Sequence, residues 1–140
     1  MQIRKMTIND YQEVYHLWSD TGLTLKKSDE KQEIKRMIDR NPTTCLVGEK
    51  EGEIIAAVMG GFDGRRGYIH HLSVAPHLQG EGYGRQILFE LERRFTDMGV
   101  KKVHLFVQKV NDKVIGFYQR CGYIKRTELI DMSKTLLDEF

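Results

Sequence analysis

The chain has 140 residues, of which 40% are apolar and 30% charged, and a chain of this length can form one domain with a sizeable hydrophobic core. Only two cysteines and two prolines are present, which excludes a disulfide scaffold, a collagen-like chain and low-complexity disorder. The 22 basic and 20 acidic side chains leave a formal charge of +2, so there is no electrostatic reason to expect a nucleic acid or a membrane surface as the partner.

No targeting or membrane-spanning segment is visible in the sequence. The N-terminal residues lack the apolar stretch of a signal peptide, and no window approaches the roughly 18 consecutive apolar residues of a membrane helix. Cys45 and Cys121 fall in no metal-binding spacing and are interpreted as small core residues, so no metal site is expected. No repeat or linker divides the chain. We therefore predict a single cytoplasmic domain over residues 1–140.

The chain begins with a predicted strand and a predicted helix. Residues 2–6 alternate weakly between polar and apolar side chains, as in a short strand. From residue 9 to residue 20, apolar side chains recur at helical spacing behind Thr7, a good N-cap. Gly22 then ends this helix, since glycine is the preferred residue just beyond a helix C-terminus.

A second helix and a hairpin follow. Ser28 is a suitable N-cap for the helix, and Asn41-Pro42 stops it, because proline disfavours helical backbone in the residue before it. Residues 43–49 and 53–62 are rich in β-branched and apolar side chains, which is typical of strands. The turn over residues 50–52 is short enough to join them as a hairpin.

The second half alternates between strands and helices. Its pattern predicts a strand over residues 67–74, a long amphipathic helix over 85–98, a strand over 101–107, a helix over 112–120 and a last strand over 123–131. The whole order is β-α-α-β-β-β-α-β-α-β. Such an order predicts a mixed α/β protein built on a single layer of sheet.

A glycine-rich turn separates the predicted strand over 67–74 from the helix over 85–98. Gly80, Gly82 and Gly84 alternate in the sequence QGEGYGR, and glycine allows the backbone conformations and the close ligand approach that other residues hinder. The following helix begins with unpaired N–H groups and the positive end of its dipole. Together these features predict an anion site, most naturally for a phosphate. The spacing matches neither the dinucleotide-binding fingerprint nor a P-loop.

Two segments resemble the motifs of the GNAT superfamily, the acetyl-CoA-dependent N-acetyltransferases. The first is LSVAPHLQGEGYGRQIL at residues 72–88. The second is NDKVIGFYQRCGY at residues 111–123, in which a tyrosine follows the asparagine by seven positions and a Gly-aromatic pair comes after it. The element order agrees over nearly the whole chain. The resemblance implies the GNAT fold, in which helices flank a mixed, mostly antiparallel sheet with splayed central strands.

The resemblance also implies how acetyl-CoA, the co-substrate of the family, is held. Main-chain amides of the glycine turn bind its pyrophosphate. Main-chain groups at the end of the preceding strand pair with the pantetheine arm, because this strand and the next splay apart in the family, and the side chain of Asn111 contacts the same arm. Carried onto this sequence, the turn residues are Gln79, Gly80, Glu81, Gly82, Tyr83, Gly84 and Arg85, and the strand residues are Leu72, Ser73 and Val74.

Two residues are candidates for catalysis. By the resemblance, Tyr118 lies at the thioester sulfur. A thiol has a pKa of about 8.5 and a tyrosine one of about 10, so Tyr118 stays protonated and can donate a hydrogen bond or a proton to the departing sulfur. A glutamate that serves as the base in some family members is replaced here by Tyr68. His70 shares the strand face of Tyr68 and is the candidate base, the alternative being a polar residue on a half-buried strand. His71 is predicted to point to the opposite face.

We therefore predict an N-acetyltransferase that moves the acetyl group of acetyl-CoA to a primary amine of a small molecule or protein. The amine attacks directly, without an acetylated Cys121, because no histidine is spaced to activate that thiol. Two alternatives remain: an enzyme that uses another acyl-CoA such as succinyl-CoA, and a non-catalytic CoA-binding sensor. The missing glutamate at Tyr68 keeps the sensor alternative open, while Tyr118 argues against it. The segment between the first two helices does not specify the acceptor. Family members often pair through C-terminal strands, so the resemblance also implies that a homodimer can form.

Overall fold

The computed structural model describes every residue from Met1 to Phe140 and contains one five-stranded sheet. The strands lie in the sheet in chain order, the first four antiparallel and the fifth parallel to the fourth. The predicted mixed α/β class is confirmed. The strands are β1 (Gln2–Lys5), β2 (Cys45–Lys50), β3 (Glu53–Phe62), β4 (Gly67–Val74) and β5 (Val103–His104), and the helices are α1 (Tyr11–Asp20), α2 (Lys31–Arg40), α3 (Tyr83–Asp97) and α4 (Asp112–Arg120).

The chain divides into two compact units. The first comprises Met1–Leu105 together with Phe140 and contains the whole sheet with α1, α2 and α3. The second comprises Phe106–Glu139 and contains α4.

The β2–β3 hairpin forms where the sequence predicts it. Lys50 pairs with Glu53 across a two-residue turn, in which Glu51 and Gly52 have φ angles of +54° and +80°. Positive φ at both central residues defines a type I′ turn, whose twist matches that of the flanking strands.

Helices cover both faces of the sheet. A Cβ atom built on Gly60 would lie 2.6 Å from Leu91 of α3, whereas one built on Gly61 would lie 3.2 Å from Met37 of α2. Since neighbouring residues of a strand point to opposite faces, α3 lies on one side and α2 on the other. Trp18 of α1 is fully buried in the same apolar cluster as α2. No helix is both long and apolar enough to cross a membrane.

Helix α2 begins later than predicted. The prediction of a start at Ser28 is wrong, because Lys27–Asp29 form a separate 3-10 turn and the helix starts at Lys31 behind an extended Glu30. The turn is closed by the carboxylate of Asp29, which accepts the main-chain N–H of Lys26 at 3.0 Å.

The predicted strands after α3 are shorter or absent. The strand expected over residues 101–107 is reduced to Val103–His104, and the strand expected over residues 123–131 does not form. Apolar side chains in this last segment are exposed, including Ile124 at 82% and Ile130 at 86%. A strand is defined by pairing with a neighbour, and an alternating pattern does not supply the partner.

Candidate active site

The glycine turn is built on left-handed backbone. Gly80 and Gly82 have φ angles of +84° and +91°, a region that side-chain-bearing residues rarely adopt. Gly82 is the N-cap of α3, and the turn from Gly80 to Gly82 is exposed to solvent. The glycines are therefore required by the path of the chain as well as by access to a ligand.

The first N–H groups of α3 point out of the helix toward this turn. The first hydrogen bond of the helix runs from the N–H of Gln86 to the C=O of Gly82 at 3.1 Å. The N–H groups of Tyr83, Gly84 and Arg85 precede it and stand at the positive end of the helix dipole. An anion such as a pyrophosphate fits this arrangement.

Lys50 adds a positive charge beside the glycine turn. The sequence analysis did not predict this residue as part of the site. From the β2–β3 hairpin, Lys50 Nζ donates a hydrogen bond to the hydroxyl of Tyr83 at 2.8 Å. Interaction with Tyr83 also raises the pKa of the Lys50 ammonium. A long-range pairing of this kind leaves no local sequence signal.

Strand β4 has an open edge beside the turn. Its pairing with β5 covers only Gly67 and Tyr68, so the two strands separate from Ile69 onward. The N–H of Ala75 bonds to Ile55 on β3, and alternation then directs the main-chain groups of Val74 and Leu72 to the open edge. The side chain of Gln79 donates to the C=O of Val74 at 3.1 Å, which links the edge to the glycine turn.

The same alternation directs the main chain of Ser73 toward β3, where it pairs with Ala57. Ser73 is buried, and its hydroxyl donates to the C=O of His71 at 3.0 Å. Of the three predicted strand residues, Leu72 and Val74 thus present their main-chain groups at the open edge. Ser73 instead pairs with β3 and stabilises the strand next to the bulge.

A bulge interrupts β4 at His71. The register with β3 shifts between Met59↔His70 and Ala57↔Ser73, and His71 has a φ of +52°. A non-glycine residue in this left-handed region costs about 1–3 kcal/mol, which the surroundings must offset. The prediction that His71 points away from His70 is wrong, because the extra residue turns both imidazoles to the same face.

Both histidines line a cleft of about 340 Å³ between β4 and the α1–α2 segment. The floor is apolar, and the ionisable groups at the wall are Lys26, Asp29 and the two histidines. The lining residues are Thr24, Lys26, Ser28, Asp29, Ile34, Met37, Met59, His70 and His71.

A hydrogen bond joins the two walls of the cleft. Asp29 Oδ1 lies 2.7 Å from His71 Nε2, and Asp29 is only 7% exposed. Burial acts to raise the pKa of Asp29, but the hydrogen bonds from His71 and from the Lys26 N–H outweigh it and leave this pKa below its usual value. The His71 ring also packs edge-on against Trp18, with the ring centroids 4.9 Å apart.

His70 lies next to this pair with a different environment. Desolvation of the imidazole in the cleft lowers the pKa of His70 from its ordinary value of 6.5, and electrostatic interaction with His71 lowers it further, while Asp29 opposes both. The ring is therefore neutral at pH 7 and can accept a proton. His70 is exposed to solvent, and its side chain also lines the cleft.

The remaining predicted residues lie in the second unit. The Asn111 side chain accepts the N–H of Val114 at 3.4 Å and caps α4. Tyr118 is buried at 9% exposure, with its ring 5.2 Å from Phe117 and 5.4 Å from Tyr123. Burial, with a smaller effect of Cys121, raises the pKa of Tyr118 well above its usual value, so its hydroxyl keeps its proton. No group of three or more His, Cys, Asp or Glu is arranged to hold a metal ion.

We expect Asp29→Asn to lower the free energy of unfolding by about 1–3 kcal/mol at pH 7, because it weakens a buried, charge-assisted hydrogen bond. A depressed carboxyl pKa stabilises the fold above about pH 3.9, and this contribution is lost as pH falls through the folded-state pKa. Urea unfolding at pH 7 and near pH 3 measures the difference. The matched change Asp39→Asn, at a 62% exposed ion pair, should cost about 0.5 kcal/mol or less. Equal losses for the two variants would contradict the assignment.

Comparison with known proteins identifies relatives over nearly the whole chain. Residues 11–123 match the model of the acetyltransferase (GNAT) family. An acetyltransferase of Pectobacterium atrosepticum is 34% identical over 139 residues, covering 99% of this chain and 98% of the relative. Ard1 of Thermoplasma volcanium has a TM-score of 0.80 at 21% identity, covering 88% of this chain and 82% of that one. The PaiA N-acetyltransferase of Thermoplasma acidophilum, solved with coenzyme A, has a TM-score of 0.74 at 17% identity, covering 86% and 87%.

Proposed function

The chain belongs to the acetyltransferase (GNAT) family and is an acetyltransferase, and we propose that it transfers the acetyl group of acetyl-CoA to a primary amine. One observation carries the proposal. In the first unit, an open strand edge connects the glycine turn at the N-terminus of α3 with a cleft that is lined by the imidazole of His70. A thioester cofactor with a pyrophosphate at one end and an acyl group at the other suits this layout.

The turn and the strand edge are proposed to hold acetyl-CoA. The turn, with the N–H groups that precede Gln86, receives the pyrophosphate. The main-chain groups of Leu72 and Val74 pair with the pantetheine arm as a further strand would, and Asn111 contacts the same arm. Acetyl-CoA supplies the thioester, whose carbonyl the amine attacks.

The cleft is proposed to hold the acceptor. Its wall contains His70, which takes a proton from the attacking nitrogen as the C–N bond forms. A main-chain N–H at the open edge of β4 stabilises the negative charge that develops on the carbonyl oxygen. Tyr118, whose hydroxyl stays protonated, donates a hydrogen bond to the departing thiolate and passes it a proton, which Tyr118 regains from solvent while the His70 imidazolium releases its own proton to solvent. The products are the N-acetylated amine and coenzyme A with a free thiol, and no covalent enzyme intermediate forms.

We expect His70→Gln to lower kcat/KM by about 10²–10⁴-fold, the usual contribution of a general base. The pKa of His70 is lowered, so the neutral imidazole, and with it the activity, should persist to a pH below about 6.5 in the wild type. Loss of activity should follow protonation of His70 as the pH falls. Initial rates of thiol release between pH 5 and pH 9 measure both effects.

His77→Gln is the matched control for this experiment, because it removes an exposed imidazole near the turn and should leave the pH profile unchanged. An acid limb that survives unaltered in His70→Gln would show that another group, or water, takes the proton.

Release of the coenzyme A thiol tests the function directly. The purified protein is incubated with acetyl-CoA or succinyl-CoA and with primary amines of different basicity. Amine-dependent thiol release from acetyl-CoA in preference to succinyl-CoA is expected. Binding of acetyl-CoA without turnover of any amine would favour the sensor alternative, and preference for succinyl-CoA would correct the donor.

A further inference from the structure

The charges of the cleft restrict which amine it can accept. Four ionisable side chains line it: Lys26, Asp29, His70 and His71. Asp29 is the sole acid among them, and an ammonium group held in a partly buried site needs a carboxylate partner.

The carboxylate of Asp29 is already fully engaged. One oxygen pairs with the imidazole of His71 at 2.7 Å, and the other accepts the N–H of Lys26 at 3.0 Å. The main chain of Asp29 is fixed as well, since its C=O accepts the hydroxyl of Tyr11 at 2.8 Å. Because the residue is only 7% exposed, it cannot turn toward a substrate without breaking these contacts.

The floor of the cleft is apolar. Ile34 and Met37 from α2 and Met59 from β3 line it, and Ile34 is 2% exposed. Methionine side chains adapt readily to the shape of an apolar group. A cleft of about 340 Å³ is at the small end of ligand sites and suits one side chain with its backbone amine.

The basicity of the amine decides how much of it is neutral. At pH 7.5, roughly one molecule in four of a peptide α-amine with a pKa near 8 is neutral, against roughly one in a thousand of a lysine-like amine with a pKa near 10.4. A cleft in which no carboxylate is available to pair with an ammonium group does not bind the protonated amine favourably. His70, whose pKa is lowered, is also too weak a base to deprotonate a strongly basic ammonium efficiently.

We propose that the acceptor is the α-amino group at the N-terminus of a peptide, with an apolar first side chain on the floor formed by Ile34, Met37 and Met59. The inference rests on the proposed function and on the cleft as its acceptor site. It excludes polyamines and lysine side chains by charge, and amino sugars by the apolar floor.

Four probes test the acceptor class, with thiol release from acetyl-CoA measured at pH 7.5. Leucine amide represents a peptide N-terminus, cadaverine a strongly basic diamine, glucosamine a weakly basic but polar amine, and free leucine an amino acid. We expect kcat/KM for leucine amide to exceed that for cadaverine by on the order of a hundredfold, following the neutral fractions. It should exceed that for glucosamine and free leucine by about tenfold or more, which is about 1.4 kcal/mol in binding selectivity.

Two variants separate the cleft from the intrinsic reactivity of the amines. His71→Leu releases the carboxylate of Asp29 into the cleft and should raise the cadaverine to leucine amide ratio of kcat/KM by about tenfold, in line with an added ion pair. Met37→Glu places a new carboxylate on the floor and should change the ratio in the same direction while keeping the β4 bulge. Acetyl-CoA affinity, measured by calorimetry, should be the same in both variants and the wild type.

The outcomes are distinct. Faster turnover of cadaverine, glucosamine or free leucine than of leucine amide by the wild type would overturn the inference, and so would an unchanged ratio in both folded variants. Turnover of none of the four probes by a protein that binds acetyl-CoA would also contradict it. Failure to bind acetyl-CoA would instead contradict the proposed function.

Discussion

Gly82→Asp should reduce acetyl-CoA binding by at least a hundredfold while the protein stays folded. The substitution places a side chain on backbone with a φ of +91°, which strains the turn, and puts a carboxylate at the N-terminus of α3, where the pyrophosphate is proposed to bind. Like charges at such a site repel, and the N–H groups needed by the ligand acquire a competing acceptor. Titration calorimetry with acetyl-CoA and with coenzyme A measures the loss.

Gly64→Asp is the matched control, because it imposes the same substitution at nearly the same φ, +98°, in the turn between β3 and β4. A Cβ atom would meet no neighbour within 4 Å at either position, so the steric costs are equal. The control should lose stability comparably and keep its affinity for acetyl-CoA. Parallel losses of affinity in the two variants, or full affinity in Gly82→Asp, would remove the turn from the binding site.

Tyr118→Phe should lower kcat by about 10²–10⁴-fold with little change in the affinity for acetyl-CoA, because it deletes one proton donor and preserves the aromatic ring. The buried hydroxyl keeps its proton across the working pH range, since burial raises the pKa of Tyr118. Single-turnover thiol release and calorimetry together separate the chemical step from binding.

Tyr123→Phe removes a hydroxyl from the neighbouring ring, 5.4 Å away, and serves as the control. It should retain kcat within about threefold, the scale of a mutation that touches no reacting group. If Tyr118→Phe behaves like this control, thiolate departure needs no protonation from Tyr118.

Local features of the site could be predicted from the sequence because each has a local cause. The turn at Gly80 and Gly82 needs left-handed backbone, and glycine alternation with a following amphipathic helix indicates both the turn and the anion site. The β2–β3 hairpin and helix α4 were placed with nearly the observed bounds for the same reason. Short-range rules of capping, turn chemistry and periodicity determine these elements.

The composition of the cleft could not be predicted from the same rules. The predicted helix start at Ser28 places Asp29 in the first turn of a helix, whereas Asp29 closes a separate 3-10 turn and pairs with His71, 42 positions away in the sequence. The direction of His71 was predicted from strict alternation, and the bulge reverses it. The sequence gives no sign of this bulge, because the residue with the left-handed backbone is His71 and not the glycine that such a conformation favours.

The α/β class, the glycine turn, the helix that follows it and the family motifs can be predicted from the sequence, because they depend on residues close together in the chain. The side chains that share the cleft, the point where β4 separates from β5 and the pairing of the strands are known only from the folded chain. Those features depend on contacts between distant segments, such as Asp29 with His71 and Lys50 with Tyr83. The favourable free energy of such contacts offsets the cost of local backbone strain. Local sequence preferences therefore do not predict where a strained backbone is tolerated.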